Sequence, residues 1–524
     1  MKFFGLDQRV IFWLAVGGLI IGWVALTAIA IPLYPTPVQD EVVWSTVALN
    51  FLRDGRFGID VWADPYGFSQ NYVLVGRLFA VYLAAMFRVF GFGLAQARWA
   101  VALAAFGSAA LLALAMTRLY SPRYGLAAAA LCLFSWNMFF WSHYVRPEVV
   151  SLLGGLAVFY WFLYTRETRS PWVIFGWGLA NALLLDIHFS HAHLFIALEA
   201  LIIADTFGRR AWHRLLWLGL GHTLGGVYLV AAHLYPDPQA ALQQLALLGS
   251  SVSASAGISN SSLFDRWRVA AAHFTSQFVT LTRLSFWQFA LMIIGWAIVI
   301  RHWRRHLFIF LPTLSLLFTI FVIFPNQGHA TYTVMLLPWL SAAMVVAAAE
   351  WHTYFNRLAS PLARLGRWAY GAALGLLFAG YVAGNIVLTW NNRLVNYAAM
   401  AEQLAQLAPR GVPVLAETIW FYSYHDGEFV DTAHVIRLLA NSTTDLGPLD
   451  EFFASRKIKY VFVQANLLTD FADWLDARMI IYATFAEYVA DRCQYRGTVA
   501  GSLYGADLGA ADQPMVINVY DCRP

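Results

Sequence analysis

Apolar runs of roughly 17–25 residues, each long enough to cross a bilayer as a helix, follow one another along most of the chain between short polar connectors. They predict spanning helices near residues 10–32, 97–117, 124–142, 149–164, 172–187, 190–206, 212–234, 284–300, 307–324, 331–349 and 369–390. The first run is longer than a signal-peptide core and lacks a small-residue cleavage site, so it reads as a retained signal anchor. One further run, Asn71 to Phe90, is long enough to cross but carries Arg77 and Arg88. Short cytoplasmic connectors collect Lys and Arg, and that rule decides its placement. With 71–90 lying flat as an interfacial helix, Arg118/Arg123, Arg166/Arg169, Arg209/Arg210/Arg214, Arg301/Arg304/Arg305 and Arg357/Arg364/Arg367 fall on one side. Together with Lys2 and Arg9 they hold 15 of the 34 basic residues, whereas the opposite connectors 143–148, 188–189 and 325–330 hold only Arg146. The expected architecture is a polytopic all-α membrane bundle of about 11 transmembrane helices over residues 1–390. Its N-terminus is cytoplasmic, with a first outer loop at 33–96 and a long outer loop at 235–283.

Beyond Asn391 the period shortens. Gly411–Ala416 and Lys459–Gln464 read as short buried strands beside turn signals. Helix is expected at Thr432–Leu439, Leu449–Ser455 and across 470–490. Residues 391–524 therefore form an expected extracytoplasmic α/β domain, since an odd number of crossings puts the two termini on opposite sides. Two cysteines in one small domain outside the cytoplasm, Cys493 and Cys522, are expected to pair; Cys132 lies in a predicted span and reads as packing. The stretch GSSVSASAGISNSS in the long outer loop resists stable packing and suits either a mobile lid or a disordered spacer.

Composition sharpens this reading. Charged residues make up 12% of the chain, against about 25% in soluble proteins, and the mean hydropathy is +0.58. A formal charge of +4 is too small to imply a nucleic-acid partner.

The informative residues are ionisable groups beside or inside the apolar layer, where each is costly. Asp40 and Glu41 follow the first span; as neighbours they point in different directions, so one can act on substrate while the other orients a partner or holds a cation. Glu148 follows Arg146 and Pro147 at the start of a span, where a carboxylate also suits the helix dipole. Asp186, His188, His191 and His193 lie in DIHFSHAH, atom types that suit a metal or hydrogen bonds to a phosphate or to protein. His329 and Tyr332, three apart in GHATY, share a helical face. All four groups map to the outer mouth, and the inner halves of the spans are clean. A transporter would carry polar groups through the full depth, and a non-catalytic assembly component would use the charged mouth for packing.

Asp40-Glu41 after span one, GFGLAQARWAVALAAFG entering span two, Arg146-Pro147-Glu148 and HATYTVMLLPWLSA in span ten occur in an order that resembles a known class. This is the class of integral-membrane glycosyltransferases with polyprenyl-phosphate sugar donors. The chain is similar to the bacterial GT-C superfamily members grouped as RgtA/B/C/D-like, ArnT-like and protein O-mannosyltransferase families. The resemblance implies inverting transfer to a lipid, glycan or protein hydroxyl at the outer face of the bacterial cytoplasmic membrane. Asp40 matches the first-loop catalytic acidic position, with Glu41 beside it, and Glu148 the second-loop acidic position. Arg146, Arg283, His329 and Tyr332 are the expected lipid-phosphate contacts. A divalent cation (Mg, Mn or Zn) would fall to Asp40, Glu148, His188 and His191. The chain departs from its relatives where Tyr72, Val73 and Leu74 replace a His-Pro-Pro-like stretch, and where LLLDIHFSH lacks their lysine.

The arginine distribution makes the topology testable. Accessibility labelling is expected to reach 50–60 and 391–524 from outside and 301–306 only from inside. Outside labelling of 118–123 would overturn it and make 71–90 a crossing.

Overall fold

The computed structural model describes residues 8–33, 35, 37–61, 68–73, 76–255, 268, 283–320, 330–357, 361–394, 397–432, 447–465, 476–501 and 515–523. They divide into two units. The first comprises Met1–Thr27, Val73–Phe79 and Ala100–Val387, and the second Ala28–Tyr72, Ala80–Trp99 and Leu388–Pro524.

The first helices in chain order are α1 (Gln8–Ala30), α2 (Gln39–Asp54), α3 (Arg77–Phe90), α4 (Leu94–Leu119), α5 (Pro122–Phe134) and α6 (Trp136–Trp141). Next come α7 (Pro147–Thr165), α8 (Pro171–Leu183), α9 (His191–Gly208), α10 (His213–Leu229) and α11 (Pro238–Ser255). They are followed by α12 (Arg283–Arg301), α13 (Leu307–Phe318), α14 (Ala330–Thr333), α15 (Leu337–Asn356) and α16 (Pro361–Asn391). Every apolar run expected to span thus contains helix. Among the described residues, six helices are long and apolar enough to cross a membrane: Phe12–Ala30, Leu94–Leu119, Pro147–Thr165, His191–Gly208, His213–Leu234 and Gly366–Asn391. On α1, Trp13, Leu14 and Ile21 are 63–70% exposed. Large apolar side chains in such number are unsuited to water, and the chain is an integral membrane protein.

Local chemistry breaks several runs. The run 124–142 divides at Ser135, whose hydroxyl accepts the Met138 amide at 3.3 Å and starts α6. The run 172–187 tightens into a 3₁₀ turn at Leu184–Asp186. In the long outer loop, Asp237 accepts the Ala240 amide at 2.9 Å and Pro238 opens α11. That helix continues through Ser255, so the first residues of the Ser-rich stretch are helical; residues 256–262 lie outside the described ones.

Within the first unit, α8 and α10 approach through glycine. A Cβ on Gly221 would lie 2.2 Å from the Phe175 carbonyl oxygen, and one on Gly178 2.3 Å from that of Leu218. Small residues that let backbones touch are a common means of joining helices in lipid.

The second unit carries a five-stranded sheet in the order β2-β1-β3-β5-β4, with β1 (Val414–Ala416), β2 (Phe429–Asp431), β3 (Tyr460–Gln464), β4 (Gln494–Gly501) and β5 (Met515–Asp521). β1 runs parallel to β2 and β3, whereas β5 is antiparallel to β3 and β4. Its helices are α17 (Tyr397–Leu407), α18 (Phe421–Tyr424), α19 (Gly447–Ser455) and α20 (Asp476–Arg492). Strand alternation sends Val461 and Val463 into a core with Leu449 of α19 and Phe485 and Val489 of α20. Phe462, on the opposite face, packs edge-on against Tyr424 at 5.2 Å between ring centres. Cys493 and Cys522 form the expected disulfide. The helix expected at 432–439 falls almost wholly outside the described residues.

Gly221→Ala is expected to lower stability by about 1–3 kcal/mol, the usual cost of overpacking, because backbone stands in the way of the new methyl. Thermal unfolding in detergent measures this, and an unchanged midpoint would show that α8 and α10 can part freely.

Candidate functional site

Two acidic neighbours have opposite surroundings. Asp40 is exposed in the first turn of α2, whereas Glu41 is fully buried. Glu41 receives Arg98 through two hydrogen bonds of 3.0 Å, from Nε to Oε1 and from Nη2 to Oε2. Its Oε2 also accepts the Val38 amide at 3.1 Å, the return half of a capping box. Two further donors of Arg98 go to the carbonyls of Ile31 (3.1 Å) and Pro35 (2.6 Å).

The tail supplies further partners to α2. Tyr422 donates to the Glu41 carbonyl at 3.0 Å and lies 2.7 Å from the Ser45 hydroxyl. Burial pushes the Tyr422 hydroxyl well above its usual range, with the Glu41 charge adding to the effect, so it remains a donor. Gln39 donates to Asp431 at 3.4 Å. Burial, reinforced by the charge of Asp431, raises the Glu417 carboxyl to about 8.

In the first unit, Arg146 holds Glu148 through contacts of 3.0 and 3.3 Å at the N-terminus of α7. Glu148 is 2% exposed and Arg146 keeps 24% of its side chain exposed. Burial pushes the nearby His188 imidazole down to about 4, against the opposing pull of Glu148. His188 is therefore neutral at pH 7; its Nδ1 lies 2.7 Å from the Ser190 hydroxyl. His193 joins Tyr332, with ring centres 5.5 Å apart, and its Nδ1 lies 3.1 Å from the Thr319 hydroxyl. Two groups separated by well over a hundred residues thus meet.

Asp186 serves a different purpose from its histidine neighbours. It is 1% exposed and accepts the Arg77 backbone amide at 3.0 Å, capping α3 from outside that helix. Tyr228 (2.7 Å) and His233 Nε2 (2.5 Å) donate to the same carboxylate. Gly76 makes the approach possible, since a Cβ there would lie 2.1 Å from the carbonyl oxygens of Asp186 and Ile187.

Among the described residues, no group of three or more His, Cys, Asp or Glu could hold a metal ion. Of the expected set, Asp40 belongs to the second unit; in the first, Glu148 pairs with Arg146 and His188 Nδ1 lies 2.7 Å from the Ser190 hydroxyl. Arg283 opens α12, and His329 lies outside the described residues. Sequence reading passed over Arg98, Tyr228, His233, Tyr422, Glu417 and Asp431. Two had a visible signal, since Arg98 and His233 are ionisable residues inside predicted spans.

The crystal structure of ArnT from Cupriavidus metallidurans in the apo state superposes with a TM-score of 0.59 at 13% identity, covering 98% of each chain. The chain has the ArnT fold. The structure of ArnT from the same organism bound to undecaprenyl phosphate gives a TM-score of 0.55 at 15% identity, again over 98% of each chain. Archaeal oligosaccharyltransferase AglB from Archaeoglobus fulgidus, in complex with an inhibitory peptide and a dolichol-phosphate, gives 0.47 at 11% identity over 97% of this chain and 76% of its own. No family model and no curated protein matches the sequence. The path of the backbone thus agrees with the ArnT-like resemblance carried by the short sequence motifs, at identities of only 13% and 15%.

Removing one member of the buried pair should be costly. Arg98→Met leaves Glu41 buried and is expected to destabilise the protein by about 3–5 kcal/mol, whereas adding Glu41→Leu should recover much of that loss. Unfolding in detergent compares the two; a double variant as unstable as the single one would assign the cost to the Ile31 and Pro35 contacts instead.

Proposed function

We propose that the protein is an inverting glycosyltransferase, moving a sugar from a polyprenyl-phosphate donor to an acceptor hydroxyl at the outer face of a bacterial cytoplasmic membrane. The ArnT fold supports this reading, as does the undecaprenyl phosphate bound in one ArnT structure. In the same reading, eleven helices cross the membrane, 71–90 lies in the interface and residues 391–524 stand outside.

The observation that carries the catalytic assignment is the split between Asp40 and Glu41. Glu41 has both oxygens committed to Arg98, whereas Asp40 is exposed on the first turn of the same helix. Asp40 takes the proton of the acceptor hydroxyl as that oxygen bonds to the anomeric carbon. The bond from that carbon to the phosphate oxygen breaks, and its electron pair leaves with the lipid phosphate. That growing negative charge calls for fixed donors, a role assigned to Arg146, whose side chain, 24% exposed, is paired with Glu148.

Asp40→Asn keeps the size of the side chain but removes its ability to accept a proton. Transfer from undecaprenyl-phosphate-linked sugars, followed with a labelled sugar, is expected to fall about 10²–10⁴-fold, while donor binding persists. A folded variant that transfers at the parental rate would overturn the assignment.

A further inference from the structure

The second unit contains a cavity of about 350 Å³, within the size range of small-ligand sites. α2 supplies Thr46, Asn50 and Arg53 to its wall. Thr46 and Asn50 stand six and ten residues beyond Asp40, about 9 and 15 Å along the helix axis, and Asp40 is not among the lining residues, so the cavity lies farther along α2 than the proposed base. The tail supplies Phe421, Phe429 and Arg456.

Its charges are balanced locally. Arg456 pairs with Glu428 at 3.1 Å, Arg53 lies 4.0 Å from Asp426, and Asp60 lies 3.3 Å from Arg56. The wall therefore offers donors and acceptors with little unpaired charge, a poor match for a phosphate or a carboxylate. Phe421 and Phe429, each 5% exposed, meet edge to face at 5.6 Å and give the same wall a small apolar patch. Hydrogen-bonding groups of both kinds beside an aromatic surface suit a ligand with hydroxyls around its edge and C–H groups on its face.

We propose that this cavity binds an uncharged saccharide unit of the acceptor, at a subsite remote from Asp40. Calling that saccharide the acceptor rests on the transferase reading; binding itself does not. The test is an array of neutral, sialylated, sulfated and phosphorylated oligosaccharides, probed with the purified full chain in detergent and no donor. Saturable retention of a neutral oligosaccharide is expected, weakened about tenfold or more in Arg53→Ala/Arg456→Ala through loss of its hydrogen bonds. Glu428→Ala, on the same wall, decides the matter if the double variant does not fold. Three results would each overturn the proposal: no neutral glycan retained, retention equal in the variants, or preference for anionic glycans. Retention without transfer from any donor would keep the cavity and remove the transferase reading; transfer without retention would do the reverse.

Discussion

Arg98 and Glu41 meet with their side chains at most 2% exposed, a costly arrangement that holds only when every donor and acceptor finds a partner. Here the arginine binds both carboxylate oxygens and gives two further hydrogen bonds to the carbonyls of Ile31 and Pro35. The chain leaving α1 is thereby tied to the first turn of α2. That turn in turn presents Gln39 to Asp431 and the Glu41 carbonyl to Tyr422. The exposed position of Asp40 follows from the same constraint. When Glu41 is drawn inward, its neighbour must point elsewhere on the helix.

Each unit combines a buried ion pair with an ionisable group that burial keeps neutral. In the first, Glu148 keeps its charge company through Arg146, while burial leaves His188 neutral at pH 7. In the second, burial and Asp431 together hold Glu417 protonated up to about 8. Neutral groups of this kind can donate or accept hydrogen bonds without adding to the field around a charged substrate. The cost of placing them inside the protein is correspondingly lower.

Long apolar runs made the helices legible, because the bilayer sets a length that few other structures need. Their breaks were not, since a serine hydroxyl at Ser135 acts through local geometry that hydropathy averages away. β1 and β3 showed as apolar runs, whereas β2 offers only Phe429 and Val430 before Asp431 and β4 is largely exposed. β5, with burial on every second residue of MVINVYD, carried a pattern that could have been read. At the site, adjacency alone separated Asp40 from Glu41, but which of them turned inward depended on Arg98, 57 residues away. Asp186 was grouped with histidines by its atom types; its real partners, Tyr228 and His233, lie more than forty residues downstream.

The contact between Ser45 and Tyr422 joins residues 377 positions apart, and this has a bearing on how the protein is made. At about 5–20 residues per second, the ribosome needs roughly 20–75 seconds to deliver Tyr422 after Ser45 has emerged. During that interval α2 can acquire Arg98 but not its tyrosine, and the strand partners of the tail do not yet exist. Contacts of such high sequence separation also close slowly once both ends are present. The N-terminal loop therefore waits through most of translation in a half-assembled state, with Ser45 and Gln39 lacking their final partners. A membrane chaperone or the insertion machinery has a defined segment to shelter over that time.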